Sequence, residues 1–253
     1  MSLNQIKSAI KRVPALHQAA RCTKRHIGRI LGFETIEQPF FTLSPDVLIA
    51  MVRALTIQQQ GSSSGRNLFD GHGYYEFGLF RGFSFWFAEQ LTRAYAGASL
   101  QLYGFDSFEG LPQPQQKLES AMYSKGDLSV SYEAVTNSLR KWKIDESRIK
   151  LFKGFFSDEL FRQLRAHEDF LPISICLIDV DLYVSCVPVL EFVKDYLVEG
   201  SILLFDDYNH FGKDHECGER RALSEFEARH PTFRKEHLFD YGWEGVAFRV
   251  SSV

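Results

Sequence analysis

Cysteine is scarce and scattered. Cys22, Cys176, Cys186 and Cys217 lie far apart and form no CxxC spacing. That argues against a disulfide framework or a thiolate zinc site, and points to reduced thiols in a cytoplasmic protein. Long apolar runs are missing as well: no stretch approaches the roughly eighteen apolar residues of a membrane span, and no signal-peptide core is visible. The net charge of −3 supplies no strongly basic face, so a protein devoted to nucleic acid is not expected. One local absence runs the other way. Residues 1–33 contain no acid, while Lys7, Lys11, Arg12, Arg21, Lys24, Arg25 and Arg29 alternate with aliphatic residues. A basic helical arm on the domain or on a second copy of the chain, an interfacial membrane helix and an organelle transit peptide all fit that pattern, the arm best.

What is abundant is apolar and aromatic. Of 253 residues, 45% are hydrophobic and 23 are Phe, enough for one large α/β domain with an appendage. Ser44, Pro45 and Asp46 mark a helix start, and the apolar run after it supplies a buried face. The polar run over 58–67, QQQGSSSGRN, reads as a linker. From Tyr74 onward strand and helix signals alternate: YYEF, a helix over 83–94, LQLYGF, a helix over 132–142, RIKLF and a helix over 158–166. ISICLI, a helix over 188–197, SILLF and a helix over 219–229 follow, and two extended stretches close the chain. This pattern predicts a doubly wound parallel α/β sheet with an antiparallel C-terminal hairpin at one edge.

Two acidic clusters close apolar runs: Asp179 and Asp181 in LIDVDLY, then Asp206 and Asp207 in LLFDDY. Continuous Ile, Leu and Val runs are the mark of central parallel strands, and ligands of such sheets bind at the strands' carboxyl ends. Four carboxylates gathered there repel one another unless a cation or a proton intervenes, which suggests a hard divalent ion. The plainer alternative is a pair of helix N-caps.

The first turn, EFGLFRGFS, places Glu76, Gly78, Gly82 and Ser84 where a strand enters a helix, and glycines there allow close approach of a ligand. Its GxxxG spacing differs from the dinucleotide fingerprint GxGxxG, which weakens a nicotinamide or flavin reading. Asp106, at the end of the second strand, can accept both hydroxyls of a ribose or serve as a turn residue before Ser107.

EFGLFRGFS, DSFEGLP, KGFF, IDVDLYVS and LFDDY, in this order, resemble the macrocin O-methyltransferase family over residues 75–231. The resemblance implies a seven-stranded class I methyltransferase (Rossmann-like) sheet over residues 67–253, with residues 1–66 as an N-terminal helical arm and cap. It implies S-adenosylmethionine as cofactor and magnesium or another divalent cation, with a small hydroxylated acceptor, sugar-like or phenolic. By the same resemblance Glu76, Gly78, Gly82 and Ser84 would line the methionine and ribose region, while Asp106 and Ser107 would hold the ribose. Gly154, Phe155 and Phe156 would flank the adenine. Asp179, Asp206 and Asp207 would bind the cation.

Related catechol-type enzymes carry a lysine three positions after the first aspartate; here that residue is Leu182, so a lysine base is not expected. Asp179 or Asp181 is preferred as base over His210, which otherwise reads as a solvent-exposed loop histidine. The stretch NHFGKDHECGERRA after DDY departs from the family pattern in length and histidine content, which leaves the acceptor open. Phe80, Phe83, Phe108, Tyr123 and Phe211 would suit stacking on a sugar or ring, although most such residues belong to cores. Two other readings keep the fold: methylation of another atom or of a larger biopolymer, and a nucleoside-binding module without chemistry. The acidic set argues against the last. The arm also allows a homo-oligomer.

Overall fold

The computed structural model describes residues 45–253 apart from 64, 66, 97, 98 and 213–216. The basic stretch over 1–33 lies outside the described residues. The apolar runs become five parallel strands, β1 (Gly73–Phe77), β2 (Gln101–Asp106), β3 (Ile149–Lys153), β4 (Ile173–Ile178) and β5 (Ile202–Phe205). The closing pair, β6 (Arg234–Tyr241) and β7 (Gly245–Ser252), is the expected hairpin. β7 lies antiparallel against β5, so the seven-stranded order is β3-β2-β1-β4-β5-β7-β6.

Every residue of β1, β4 and β5 is buried, as continuous apolar strands in the middle of a sheet require. Alternation along each strand separates two cores. One face is largely aromatic: Phe77 stacks on Phe105 at 4.5 Å between ring centroids, and Phe161 stacks on Phe192 at 4.4 Å. That layer explains much of the phenylalanine content, since offset ring pairs add about 0.5–1.5 kcal/mol each beyond the area they bury. The opposite face is more aliphatic and includes Met51, Leu55, Leu102, Ile175 and Leu204.

The helices between strands are α2 (Phe83–Ala96), α3 (Lys117–Met122), α4 (Tyr132–Lys141), α5 (Asp158–His167), α6 (Tyr183–Val193) and α7 (Gly218–Arg229), preceded by α1 (Pro45–Ser63). Ser131 and Ser157 cap α4 and α5 by accepting the backbone N–H groups of Ala134 and Leu160.

Two expectations are corrected. The linker over 58–67 is not one: α1 continues through Ser63, and Gln58 is buried with Nε2 donating to the carbonyls of Ser174 and Gly200. A polar side chain that satisfies two buried backbone carbonyls supports the helix, although its sequence context reads as flexible. Pro188 does not open α6 but sits inside it. The helix starts at Tyr183, whose N–H donates to Glu119 Oε1 of α3 at 2.7 Å, a cap supplied from a distant segment. α3 is an added element that the alternation of strand and helix signals did not reveal.

Candidate active site

The parallel register decides what meets at the carboxyl edge. Phe77 pairs with Phe105 and with Ile178, and Ile178 pairs with Phe205, so Gly78, Asp106, Asp179 and Asp206 leave the sheet side by side. The ladder extends one step into these loops through Gly78 N–H to Phe105 O, Asp179 N–H to Phe77 O and Asp206 N–H to Ile178 O, each 2.9–3.0 Å. Above this edge lies a cavity of about 270 Å3 whose lining includes Gly78, Asp106, Gly154, Phe155, Asp179 and Asp207. Phe80, Ser107, Phe156, Asp181 and Asp206 also face it.

On the β1 and β2 side the loops are held tightly. Gly78 has φ +92°, and a Cβ there would stand 1.8 Å from the carbonyl oxygen of Asp179. Only glycine lets the two loops approach so closely. The Asp106 carboxylate accepts from Leu79 and Phe80 N–H at 2.8 and 3.0 Å and from Phe108 N–H at 2.6 Å. Burial raises its pKa, and those three hydrogen bonds oppose the rise. Phe155 remains 38% exposed at the cavity, an apolar ring open to a planar ligand, while Phe156 packs edge-on against Phe77.

Glu76, Gly82 and Ser84 stand behind this surface. Glu76 is fully buried and accepts from Ser84 Oγ at 2.5 Å and Tyr74 Oη at 2.6 Å, tying the end of β1 to the start of α2. Gly82 packs against Val135 and Leu139 of α4. Burial pushes the Glu76 carboxyl up to about 7, against the two hydroxyl donors that stabilise its charge. A carboxyl raised in the folded state binds more protons folded than unfolded. Its contribution to stability is therefore whole below about pH 4.5 and is lost as pH rises to about 7, on the order of 3 kcal/mol in all. Glu76→Gln is expected to remove that slope; urea midpoints at pH 5 and pH 7.5 that shift equally in both proteins would contradict it.

On the β4 and β5 side, carboxylate oxygens of Asp179, Asp181 and Asp207 lie within 4.8 Å of one another. Asp207, His210 and Glu244 form a second such group that shares Asp207. Asp206 belongs to neither; it faces the cavity from one residue earlier. Burial, then Asp206, Asp207, Asp181 and Glu219, drives the Asp179 carboxyl well above the ordinary carboxylate range. Burial and Asp207 push Asp181 up to about 7, and burial and Asp181 do the same to Asp206. So many unfavourable ionisations in one place fit a donor set for a hard cation, whose charge would offset them.

Asp181 turns inward because the strand has ended: its φ is +58°, and Leu182 N–H bonds back to Val180 O. Leu182 is buried with Leu111 and Tyr123, so the position that holds lysine in catechol-type enzymes is part of a small apolar cluster. His210 is buried, not solvent-exposed as its loop position suggests, because the β6–β7 turn and the segment after α3 fold over it. Of the aromatics expected near the mouth, Phe80 lines the cavity, while Phe83 packs on Trp86 and Phe108 on Tyr132. Tyr123 and Phe211 both pack on His210.

Residues 66–250 match the sequence profile of the macrocin O-methyltransferase family. The chain belongs to that family. A curated relative from Streptomyces olivaceus, the 8-demethyl-8-(2,3-dimethoxy-alpha-L-rhamnosyl)-tetracenomycin-C 4'-O-methyltransferase, is 26% identical over 139 residues. That alignment covers 53% of this chain and 51% of the relative, about half the relative's length. Among solved structures, the O-methyltransferase NovP superposes with a TM-score of 0.63 at 19% identity, over 81% of this chain and 79% of its own. The calicheamicin methyltransferase CalS11 gives 0.59 at 20% identity, over 83% and 82%. Both have the class I methyltransferase fold described here.

In this macrocin-family chain, two buried acids escaped the sequence reading. Glu219 of α7 is fully buried and accepts Val180 N–H and Asp207 N–H at 3.3 and 3.2 Å, so it joins the two acidic loops from beneath. Glu119 caps α6 as described. Only the position of Glu219 in an acid-containing first helical turn offered a hint, and a surface carboxylate looks the same.

Proposed function

We propose that this chain transfers a methyl group from S-adenosylmethionine to a hydroxyl of a small sugar-like or phenolic acceptor, with magnesium or another divalent cation at the carboxylate cluster. The observation that carries the reading is the convergence of buried carboxylates beside a cavity whose other side is a glycine turn, Asp106 and an exposed Phe155. The rhamnosyl substrate in the name of the Streptomyces olivaceus relative favours a sugar hydroxyl.

The division of labour follows from position. Gly78, Asp106, Ser107, Gly154, Phe155 and Phe156 would hold the cofactor, with Glu76, Gly82 and Ser84 bracing the turn beneath. Asp179 and Asp207, whose oxygens converge, would hold the cation together with Asp206, which lies outside that group but faces the same cavity; when bound, the cation supplies Lewis acidity toward the acceptor oxygen and offsets the gathered negative charge. A sulfonium methyl is already activated and its thioether leaves without a proton, so the protein's part is to align the acceptor oxygen and take its proton. Asp181, which lies beside Asp179 and Asp207 and faces the cavity, would take it. Residues 1–66 act as arm and cap in this scheme; α1, its described part, buries Val47, Met51 and Leu55 in the aliphatic core. Small-molecule recognition, with no nucleic acid partner, is part of the same reading, and no described helix is long and apolar enough to cross a membrane.

S-adenosylhomocysteine at about a hundredfold excess over its Kd is expected to raise the melting temperature by roughly 5–10 °C, and NAD to leave it unchanged. No shift at millimolar ligand would remove the cofactor assignment. Turnover of a panel of rhamnosyl glycosides and phenols is expected to stop in EDTA and return with magnesium; undiminished turnover in EDTA would remove the cation.

A further inference from the structure

Among the described residues the exposed large hydrophobics are Ile49, Leu128, Phe155, Trp243 and Val253. Leu128 and Phe155 line the cavity. Trp243, on the turn between β6 and β7, is 51% exposed. Single apolar residues are ordinary on a protein surface, so exposure alone assigns nothing. Position and anchoring distinguish this one. β7 runs antiparallel to β5 with Val246 beside Phe205, so the residues just before Val246 stand at the carboxyl edge, next to Asp206 and Asp207. Glu244, the neighbour of Trp243, has a carboxylate oxygen within 4.8 Å of one on Asp207, and Asp207 faces the cavity.

Both flanks of the indole are fixed. The Glu244 carbonyl accepts Asn209 N–H at 2.8 Å, and Glu244 Oε2 lies 2.7 Å from His210 Nδ1. On the other side Gly242, with φ +58°, packs so closely on α1 that a Cβ there would stand 2.9 Å from Asp46 Oδ2. A turn pinned at both ends is already ordered, so a ligand that meets it does not bear the cost of ordering it. Tryptophan adds a large, flat, mostly apolar face with only two rotatable side-chain bonds.

The cavity, at about 270 Å3, is smaller than the roughly 300–1,000 Å3 of pockets that enclose one drug-sized ligand. Its described walls therefore cannot enclose a cofactor and an acceptor together. With the cofactor along Gly78, Asp106 and Phe155, the acceptor hydroxyl enters on the acidic side, and the rest of the acceptor lies across the rim where Trp243 stands. We propose that Trp243 is the acceptor platform: its indole stacks on the apolar C–H face of the acceptor's pyranose ring and gives the enzyme its preference for glycosides. The proposal rests on the methyl-transfer reading above and deepens it by naming what meets the acceptor outside the cavity.

The test uses the full chain and a panel of rhamnosyl glycosides and phenols. Trp243→Ala is expected to raise KM for a glycoside by roughly 10- to 30-fold with kcat within about threefold, and Trp243→Phe to recover most of the loss. Melting temperature and S-adenosylhomocysteine affinity should not move, because the indole meets the acceptor alone. A second readout needs no turnover. The chain has three tryptophans, and the other two, Trp86 and Trp142, pack on each other at 6.0 Å between ring centroids. With S-adenosylhomocysteine and magnesium present, a glycoside should roughly halve iodide quenching of the wild-type fluorescence, in line with the exposed indole being covered, and leave Trp243→Ala unchanged. Absence of that shielding in the wild type would overturn the proposal, and this decides the matter if Trp243→Ala does not fold. A glycoside KM within twofold of wild type in Trp243→Ala would overturn it as well. If that variant also melted lower or formed a smaller assembly, the indole would be a packing or copy-contact residue instead. Phenols methylated but no glycoside would overturn the platform and leave methyl transfer standing. No acceptor methylated by the wild type would sink the methyl-transfer reading and the platform together.

Discussion

Asp207→Asn is expected to lower turnover by at least about a thousandfold while making the cation-free protein more stable, by about 1 kcal/mol or ~2–4 °C in EDTA. The two effects share one cause. Asp207 is common to both groups of converging ligand atoms, and its charge disfavours ionisation of Asp179, Asp181 and Glu219. Without a cation that repulsion is uncompensated, and an amide of the same shape relieves it. With a cation, the same charge is an attraction that the amide lacks. Thermal melts with and without magnesium separate the cases: the wild type should gain stability from the ion, and the variant should gain almost none. A variant less stable than wild type in EDTA would show that Asp207 serves chiefly to hold His210, whose Nδ1 lies 3.4 Å from its carboxylate.

Among the described glycines, Gly78→Ala should be the most damaging added methyl group. An added Cβ would overlap the Asp179 carbonyl oxygen at 1.8 Å, and the φ of +92° is itself unfavourable for alanine. Backbone atoms cannot swing aside as a side chain can, so the turn after β1 and the first acidic loop must separate by more than an ångström. We expect a loss of at least about 3 kcal/mol in stability and of about a hundredfold or more in S-adenosylhomocysteine affinity. Gly71 makes the control, because it has φ +70° with nothing within 4 Å of an added Cβ and stands before β1, at the opposite end of that strand from the site. Gly71→Ala should cost only about 1–2 kcal/mol of backbone strain and leave turnover unchanged. Calorimetry and denaturant midpoints on both variants decide it; equal effects would mean that the close contact with Asp179 is not what Gly78 provides.

Much of this architecture is legible in the order of the residues. Strands buried on both faces announce themselves as unbroken Ile, Leu and Val, which is why ISICLI and SILLF are recognisable and why the carboxylates after them can be placed at one edge. Local signals also locate α4 and α5, whose serine caps lie in the sequence beside the helices they start. Local signals fail where the partner is remote. Tyr183 begins a helix five residues before Pro188 because Glu119, 64 residues away, accepts its N–H. The glutamine run at 58–60 continues a helix because Gln58 meets carbonyls 116 and 142 residues distant.

The same division runs through the site. Sequence by itself determined the fold class, the order of the strands, the family and the four aspartates at the carboxyl edge, because those depend on periodicity and on residues a few positions apart. Tertiary structure alone decided that Asp181 turns in with Asp179 and Asp207 while Asp206, which faces the same cavity, lies outside that group of converging oxygens. It also decided that Glu219 closes the cluster from below and that Tyr123, His210 and Glu244 meet in one row. A carboxylate or phenol has the same letter whether it is solvated or buried, and only the packing of distant segments sets what surrounds it.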